Sequence, residues 1–330
     1  MMTAAEQRSP HRSRGWPLGL VCFLFSPLCT LAAIDTAGLQ AKAREVLVRA
    51  LREESGFVRI HAAEALLDTG RGDMVRAAFP PGSRAAGTMT SAVPRIGTWR
   101  VLALASATPA ERDEWIRNVR EVALDPAAPD QLQALETLGK LHVRLDPGEL
   151  QAIRQFAIDS APAAAPLPWW VLHLNGAPDA LARIVAGLNA ADPVARLRAS
   201  YILKRDRLTG DGACPALARA WTAEPPDSVA YPYLLCALAM LADEPAQKRD
   251  YVDRLGGLLA DQKTSARYEI CLTLMQLWPA ENAPRFMPVL DSSDPDSRIG
   301  AACAILHLTA APSSPEPVVT GAGKIGTAGH

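Results

Sequence analysis

Apolar positions along this chain fall in blocks that repeat. Ser55–Gly70 reads SGFVRIHAAEALLDTG, and Asp294–Thr309 reads DPDSRIGAACAILHLT. The two superimpose without a gap: Arg-Ile, then Ala-Ala, then an aliphatic pair. Asp192–Arg205 fits the same template, and Thr264–Leu277 fits it more loosely through Arg267. Asp130–Leu141, Ile96–Ala105 and Asp227–Leu241 keep the apolar spacing. Apolar residues returning at three- and four-residue steps predict amphipathic helices. Pro232 is compatible with one if it lies in the first turn.

A second set of amphipathic segments lies between these blocks. Thr108–Leu124 opens on Thr108, with Pro109 at the first helical position and Glu111 behind it, the signature of a capped N-terminus. Segments opening at Asp146-Pro147, Gly176, Asp211, Glu244-Pro245 and Pro279 play the same part. The unit is therefore helix, turn, helix, with a period of roughly 30–40 residues, which belongs to solenoids. About eight units cover Ile34–Leu308. Composition agrees: hydrophobic residues make up 49% of the 330 but aromatics only 5%, so Ala and Leu, the best helix formers, carry the apolar load.

Two blocks open on Asp-Pro-x-x-Arg, at Asp192–Arg196 and Asp294–Arg298, and continue into the Ala/Leu pattern. In this the chain resembles the HEAT-repeat family, in particular the short bacterial HEAT-like repeats seen beside phycobilin lyases. The resemblance covers nearly all of residues 34–308. It implies an all-α, right-handed solenoid of about eight antiparallel helix pairs, with the second helix of each pair lining a concave surface. It also implies that the Asp closes the turn between paired helices and that the Arg crosses to a neighbouring repeat. With the full motif in two repeats, a broken ladder of such contacts is expected.

Three segments fall outside the array. Arg8, Arg12 and Arg14 precede the apolar Leu18–Phe25, and Ala32-Ala33 follow as small residues. This is the layout of a secretory signal peptide over residues 1–33. Its apolar run is shorter than the ~20 residues of a spanning helix. An exported product, periplasmic or extracellular, is expected; anchoring by an uncleaved segment is the alternative. Residues 80–94 are rich in Gly, Pro and small polar residues and predict a loop insertion. Residues 309–330 have too little apolar content to order themselves and predict a disordered tail. The formal net charge is −1, and no dense basic run occurs, which disfavours nucleic acid.

Candidate chemistry is sparse. His61, Glu64 and Asp68 stack on one helical face. The rest of that helix is apolar, so the three read as a solvated stripe facing the concave groove. Metal sites need three or four converging ligands; the last repeat has Gly300 opposite His61 and His307 opposite Asp68, so no ligand recurs. The His-Glu dipeptides that bind iron in HEAT-like deoxyhypusine hydroxylase do not occur. His173 and His307 share a Leu-His-Leu context near helix ends and read as C-terminal caps. Cys236, Cys271 and Cys303 are spaced close to the repeat and read as small core residues, with no C-x-x-C. In PLPWWVLHL, Trp169 and Trp170 point about 100° apart. They are either a surface contact for a partner or one residue in each of two seams. No phosphate loop, nucleophile elbow or catalytic triad is present. The expectation is a non-catalytic binding or scaffold protein, without cofactor or metal, offering a concave surface to a protein partner. His61, Glu64, Asp68, Trp169 and Trp170 are the candidate contacts. A lyase-like enzyme or accessory factor and a structural cell-envelope module are the alternatives.

Overall fold

The computed structural model describes residues 35–79, 92–262, 264 and 266–310. The segment read as a leader, most of the loop insertion and all but the first two residues of the tail lie outside them; Thr309, read as the start of the tail, is the last residue of a helix. Among the described residues there are sixteen α-helices and no strand, and no helix is long and apolar enough to cross a membrane. The described residues belong to one compact unit.

The helices alternate between two layers. The inner layer is α2 (Gly56–Asp68), α4 (Ala92–Ala105), α6 (Gln131–Lys140), α8 (Pro166–Leu174), α10 (Pro193–Arg205), α12 (Tyr231–Leu241), α14 (Arg267–Leu277) and α16 (Pro295–Thr309). The outer layer is α1 (Thr36–Glu53) with the short α3 (Gly72–Ala78), then α5 (Pro109–Leu124), α7 (Pro147–Asp159), α9 (Ala180–Ala186), α11 (Ala213–Ala223), α13 (Pro245–Ala260) and α15 (Met287–Leu290). Each inner helix packs on the next, and α16 packs on α1 and α2. The array therefore closes on itself: the last helix pair is a neighbour of the first. Helix α4 already begins at Ala92, so the last three residues expected in the loop insertion, 92–94, are helical.

Local chemistry explains where helices start. Pro109, Pro147, Pro193, Pro245 and Pro295 each occupy an opening position, where a missing N–H costs nothing. Asp146 and Glu149 form a reciprocal capping box. Asp192 accepts from the Val194 N–H and Asp294 from the Ser297 N–H, so the Asp of the Asp-Pro motif is an N-cap. The motif Arg does cross between units. Arg196 grips Glu224 through Nε and Nη2, at 2.5 and 2.7 Å.

The ladder is less broken than expected. Arg95 clasps Asp130 at 2.6 and 2.7 Å, and Arg267 reaches Ser292 Oγ at 3.1 Å, both from helices without the full motif. Arg298 completes it across the closing seam by donating to Glu54 at 3.2 Å. At the same seam Lys42 meets Asp291 at 3.1 Å, and Gln40 donates to the Thr309 carbonyl at 2.7 Å. Between the layers, Leu47, Leu66, Leu135, Ile202, Leu234 and Phe286 are buried in one continuous core.

Trp169 and Trp170 are part of that core, so neither offers a surface contact. PLPWWVLHL is α8, the fourth inner helix. Trp170 is fully buried and donates through Nε1 to Asp206. It lies against Gly139, where an added methyl would collide with the indole ring. Trp169 lies between the guanidiniums of Arg154 and Arg183, at 5.4 and 5.6 Å from its ring.

Candidate functional site: the interior of the ring

Contacts between inner helices run from residue to residue about one or two periods away, at matching heights. Glu64 meets Arg100, Arg100 meets Thr137 at 3.0 Å, and Trp170 meets Asp206. The inner helices are therefore parallel, and their C-terminal ends lie on one side. Between them is a cavity of about 690 Å³. It reaches the C-terminal ends, where Asp68, Leu104, His142, Arg205 and Gln276 are exposed. A smaller annex of about 140 Å³ lies toward the other side, against Phe57, Gly97 and Gln133. His61, Arg100, Glu136 and Lys140 border both spaces.

A belt of charge crosses the interior at mid-height. Lys140 and Glu136 pair at 2.6 Å, and Lys140 also lies 5.7 Å from the Tyr201 ring. Burial works against the charge on Glu64, but Arg100 and Lys140 outweigh it and hold its pKa down at about 2. Glu136 is also lowered: burial opposes its charge, and Lys140 and Arg100 overcome it. On the far wall Lys204 of α10 pairs with Glu269 of α14, with both side chains buried. Lys204 also reaches Thr273 Oγ1 at 3.3 Å. Burial would neutralise Lys204, yet Glu269 keeps its pKa above the usual lysine value.

The first sequence candidates sit here. His61, Glu64 and Asp68 all line the cavity. Glu64 is no free solvated group but is paired with Arg100. His61 is likewise more than a wet stripe. Its Nδ1 bonds Asp296 Oδ1 at 2.8 Å, and its ring stacks on Tyr268 with centroids 4.6 Å apart. Both partners come from the far end of the chain, so His61 is part of the closing seam. The absence of a side chain at Gly300 lets the backbone at Tyr268 approach α16. Of the three, Asp68 alone makes no hydrogen bond or ion pair. Burial and the nearby Glu64 raise its pKa, while Arg205 pulls it back.

Four inner helices end in the same backbone turn, with a residue of positive φ after the last turn: Gly70, His142, Gly176 and Arg207. Glycine takes this conformation without penalty, whereas a side chain is strained there. The two non-glycines both use their side chains at the cavity rim. His142 Nε2 lies 3.3 Å from Asp206, and Arg207 donates to Gln276 at 3.2 Å. These two residues, with Tyr201, Lys204, Arg205 and Glu269, escaped notice in the sequence. The signal was there in DPVARLRASYILKR, where polar residues interrupt a core helix at 198, 201, 204 and 205, a helical face.

The remaining candidates are not in the cavity chemistry. Cys236, Cys271 and Cys303 are free, buried thiols, and burial pushes Cys236 and Cys303 up to about 12. They are poor nucleophiles, because the thiolate is the reactive form. His173 and His307 lie in the last turns of α8 and α16. Among the described residues no group of His, Cys, Asp and Glu is arranged to hold a metal ion. Comparison with family models, with curated proteins and with solved structures finds no match.

Proposed function

We propose that this chain is an exported, non-catalytic binding protein built from right-handed HEAT-like repeats, with its ligand held inside the ring. The observation that carries the reading is the interior itself. A cavity of about 690 Å³ lies within the usual size of small-molecule sites, roughly 300–1,000 Å³. Its walls combine leucines, methionines and tyrosines with charges fixed in pairs. Export rests on the leader-like layout of residues 1–33. The Asp-Pro-x-x-Arg caps and the Arg ladder support the HEAT-like reading, since they do the work that the resemblance implies.

Closure changes the kind of partner. In an open stack the concave face would meet a protein. In a closed ring that face is a cavity wall, and a folded domain has no access to it. A small polar molecule is the occupant that fits.

One observation favours the enzymatic alternative. Glu64 and Asp68, one turn apart, are driven in opposite directions, the first held ionised and the second shifted toward protonation. Such a split suits an acid–base pair. Arg100 binds Glu64, however, and that makes it the fixed member of an ion pair rather than a base.

Native mass spectrometry of the protein from its own secretory compartment tests the reading. A small-molecule adduct released on denaturation, and lost when Leu104→Trp narrows the mouth, is expected. A protein free of adduct that co-purifies in fixed ratio with another protein overturns it. Recovery of a chemically altered ligand after incubation favours the enzyme.

A further inference from the structure

Each charged side chain lining the cavity has a directly bonded partner, with two exceptions that feel each other only at longer range. Glu64 is held by Arg100, Glu136 by Lys140, and Glu269 by Lys204. Asp206 takes the Trp170 N–H and faces His142, and Arg198 donates to the Ala163 carbonyl. Asp68 and Arg205 make no hydrogen bond or ion pair. They stand on α2 and α10, the first and fifth of eight inner helices, and so on opposite sides of the ring. Both line the one cavity.

We propose that the cavity takes a zwitterion with an apolar body, of the class of a short peptide with two free termini, its ammonium end on Asp68 and its carboxylate on Arg205. The inference rests on the reading of the interior as a ligand site and adds the chemistry of the occupant.

Three features select this class. A guanidinium matches a carboxylate in a two-pronged bond, which gives direction as well as attraction. The lining holds as many carboxylates as Lys and Arg side chains, five of each, so it suits a ligand of zero net charge rather than a polyanion or a polycation. Apolar and aromatic side chains also line the cavity: Leu104, Leu272 and Met275, with Tyr201 and Tyr268. Leu104 is 49% exposed, unusual for a leucine on a core helix, and it stands on the helix next to Asp68. A purely apolar ligand would strip water from Asp68 and Arg205 without replacing it, which costs free energy. A zwitterion replaces that water at both ends.

Calorimetric titration of the full chain with leucyl-leucine, its N-acetyl form and its C-terminal amide tests this. The free dipeptide is expected to bind at least tenfold more tightly than either blocked form, as charge-assisted bonds are lost one at a time. Asp68→Asn should abolish discrimination against the acetylated form and keep discrimination against the amide. Arg205→Gln should do the reverse. Both positions are open to solvent at the mouth, and cooperative melting of each variant at or above the parent's temperature shows an intact ring. Equal binding of all three peptides overturns the zwitterion while leaving the cavity as a ligand site. Binding of none of them, by a protein that carries a native small-molecule adduct, also overturns it. Binding of none, by a protein without an adduct, removes both readings.

Discussion

Breaking the Lys204–Glu269 pair should be far costlier than deleting it whole. Lys204→Met removes the cation but leaves Glu269, whose side chain is 8% exposed, in place. The carboxylate then has neither its partner nor water. Loss of one member of a buried pair costs about 3–5 kcal/mol. Part of the Lys204 bonding is to Thr273, a neutral contact at 3.3 Å that adds about 1 kcal/mol at most. For a domain of this size each kcal/mol lowers the melting temperature by about 2 °C, so a fall of roughly 6–10 °C is expected. The double variant Lys204→Met/Glu269→Leu replaces both charges with apolar groups of similar volume. It should recover most of that loss, because the pair itself contributes little net stability once its desolvation is counted. Calorimetry and urea titration of the four proteins of the cycle give the coupling directly. A single variant within about 1 °C of the parent would show that the pair is wet. A double variant as unstable as the single would show that packing, not charge, holds α10 to α14.

Four further outcomes follow from the interior. Gly139→Ala should destabilise by about 1–3 kcal/mol, since the new methyl meets the indole of Trp170, which has no room to retreat; thermal melting checks it, and an unchanged melting point contradicts the packing. The Glu64 pKa is lowered from 4.5 to about 2, so the unfolded chain binds its proton first as pH falls; Glu64 thus contributes about 3 kcal/mol above pH 5 that is lost as pH approaches 2, and Glu64→Gln should flatten the stability profile across that window. Asp68 works in the opposite sense, because its raised pKa favours the folded state at low pH and opposes it above, and Asp68→Asn should therefore gain stability at neutral pH. His61→Ala should cost about 1–2 kcal/mol, more than a surface change, since it removes the Asp296 bond and the stack on Tyr268; a loss below about 0.5 kcal/mol would return His61 to the solvated stripe.

Much of the fold is legible in the sequence because each repeat writes its apolar face locally. Seven inner helices follow the template that Ser55–Gly70 and Asp294–Thr309 share. The remaining one, α8, hides because Pro166 and Pro168 lead it and two tryptophans replace the Ala-Ala core; yet its Leu-His-Leu ending matches that of α16. Closure is not legible. It depends on the small rotation between neighbouring helix pairs, summed around the array, and no local pattern states that angle. Its bonds join residues that lie far apart in sequence: Arg298 with Glu54, His61 with Asp296, Lys42 with Asp291. For the same reason the functional face was only half visible. His61, Glu64 and Asp68 stand out on α2, but the partners that turn Glu64 and His61 into paired groups and leave Asp68 free sit on α4, α14 and α16. Trp169 and Trp170 stand out by residue type, and type alone does not tell a contact from a seam.

A single distance tests whether the array closes. Lys42 on α1 and Asp291 before α16 are both exposed, and their side chains meet at 3.1 Å. Spin labels at these two positions, in a background with Cys22, Cys29 and Cys214 changed to serine, report the separation by pulsed electron paramagnetic resonance. A closed ring gives a narrow distribution centred below about 20 Å. An open stack of eight units at about 8–10 Å per layer separates the two ends by roughly 70 Å, and a distribution there would contradict the account.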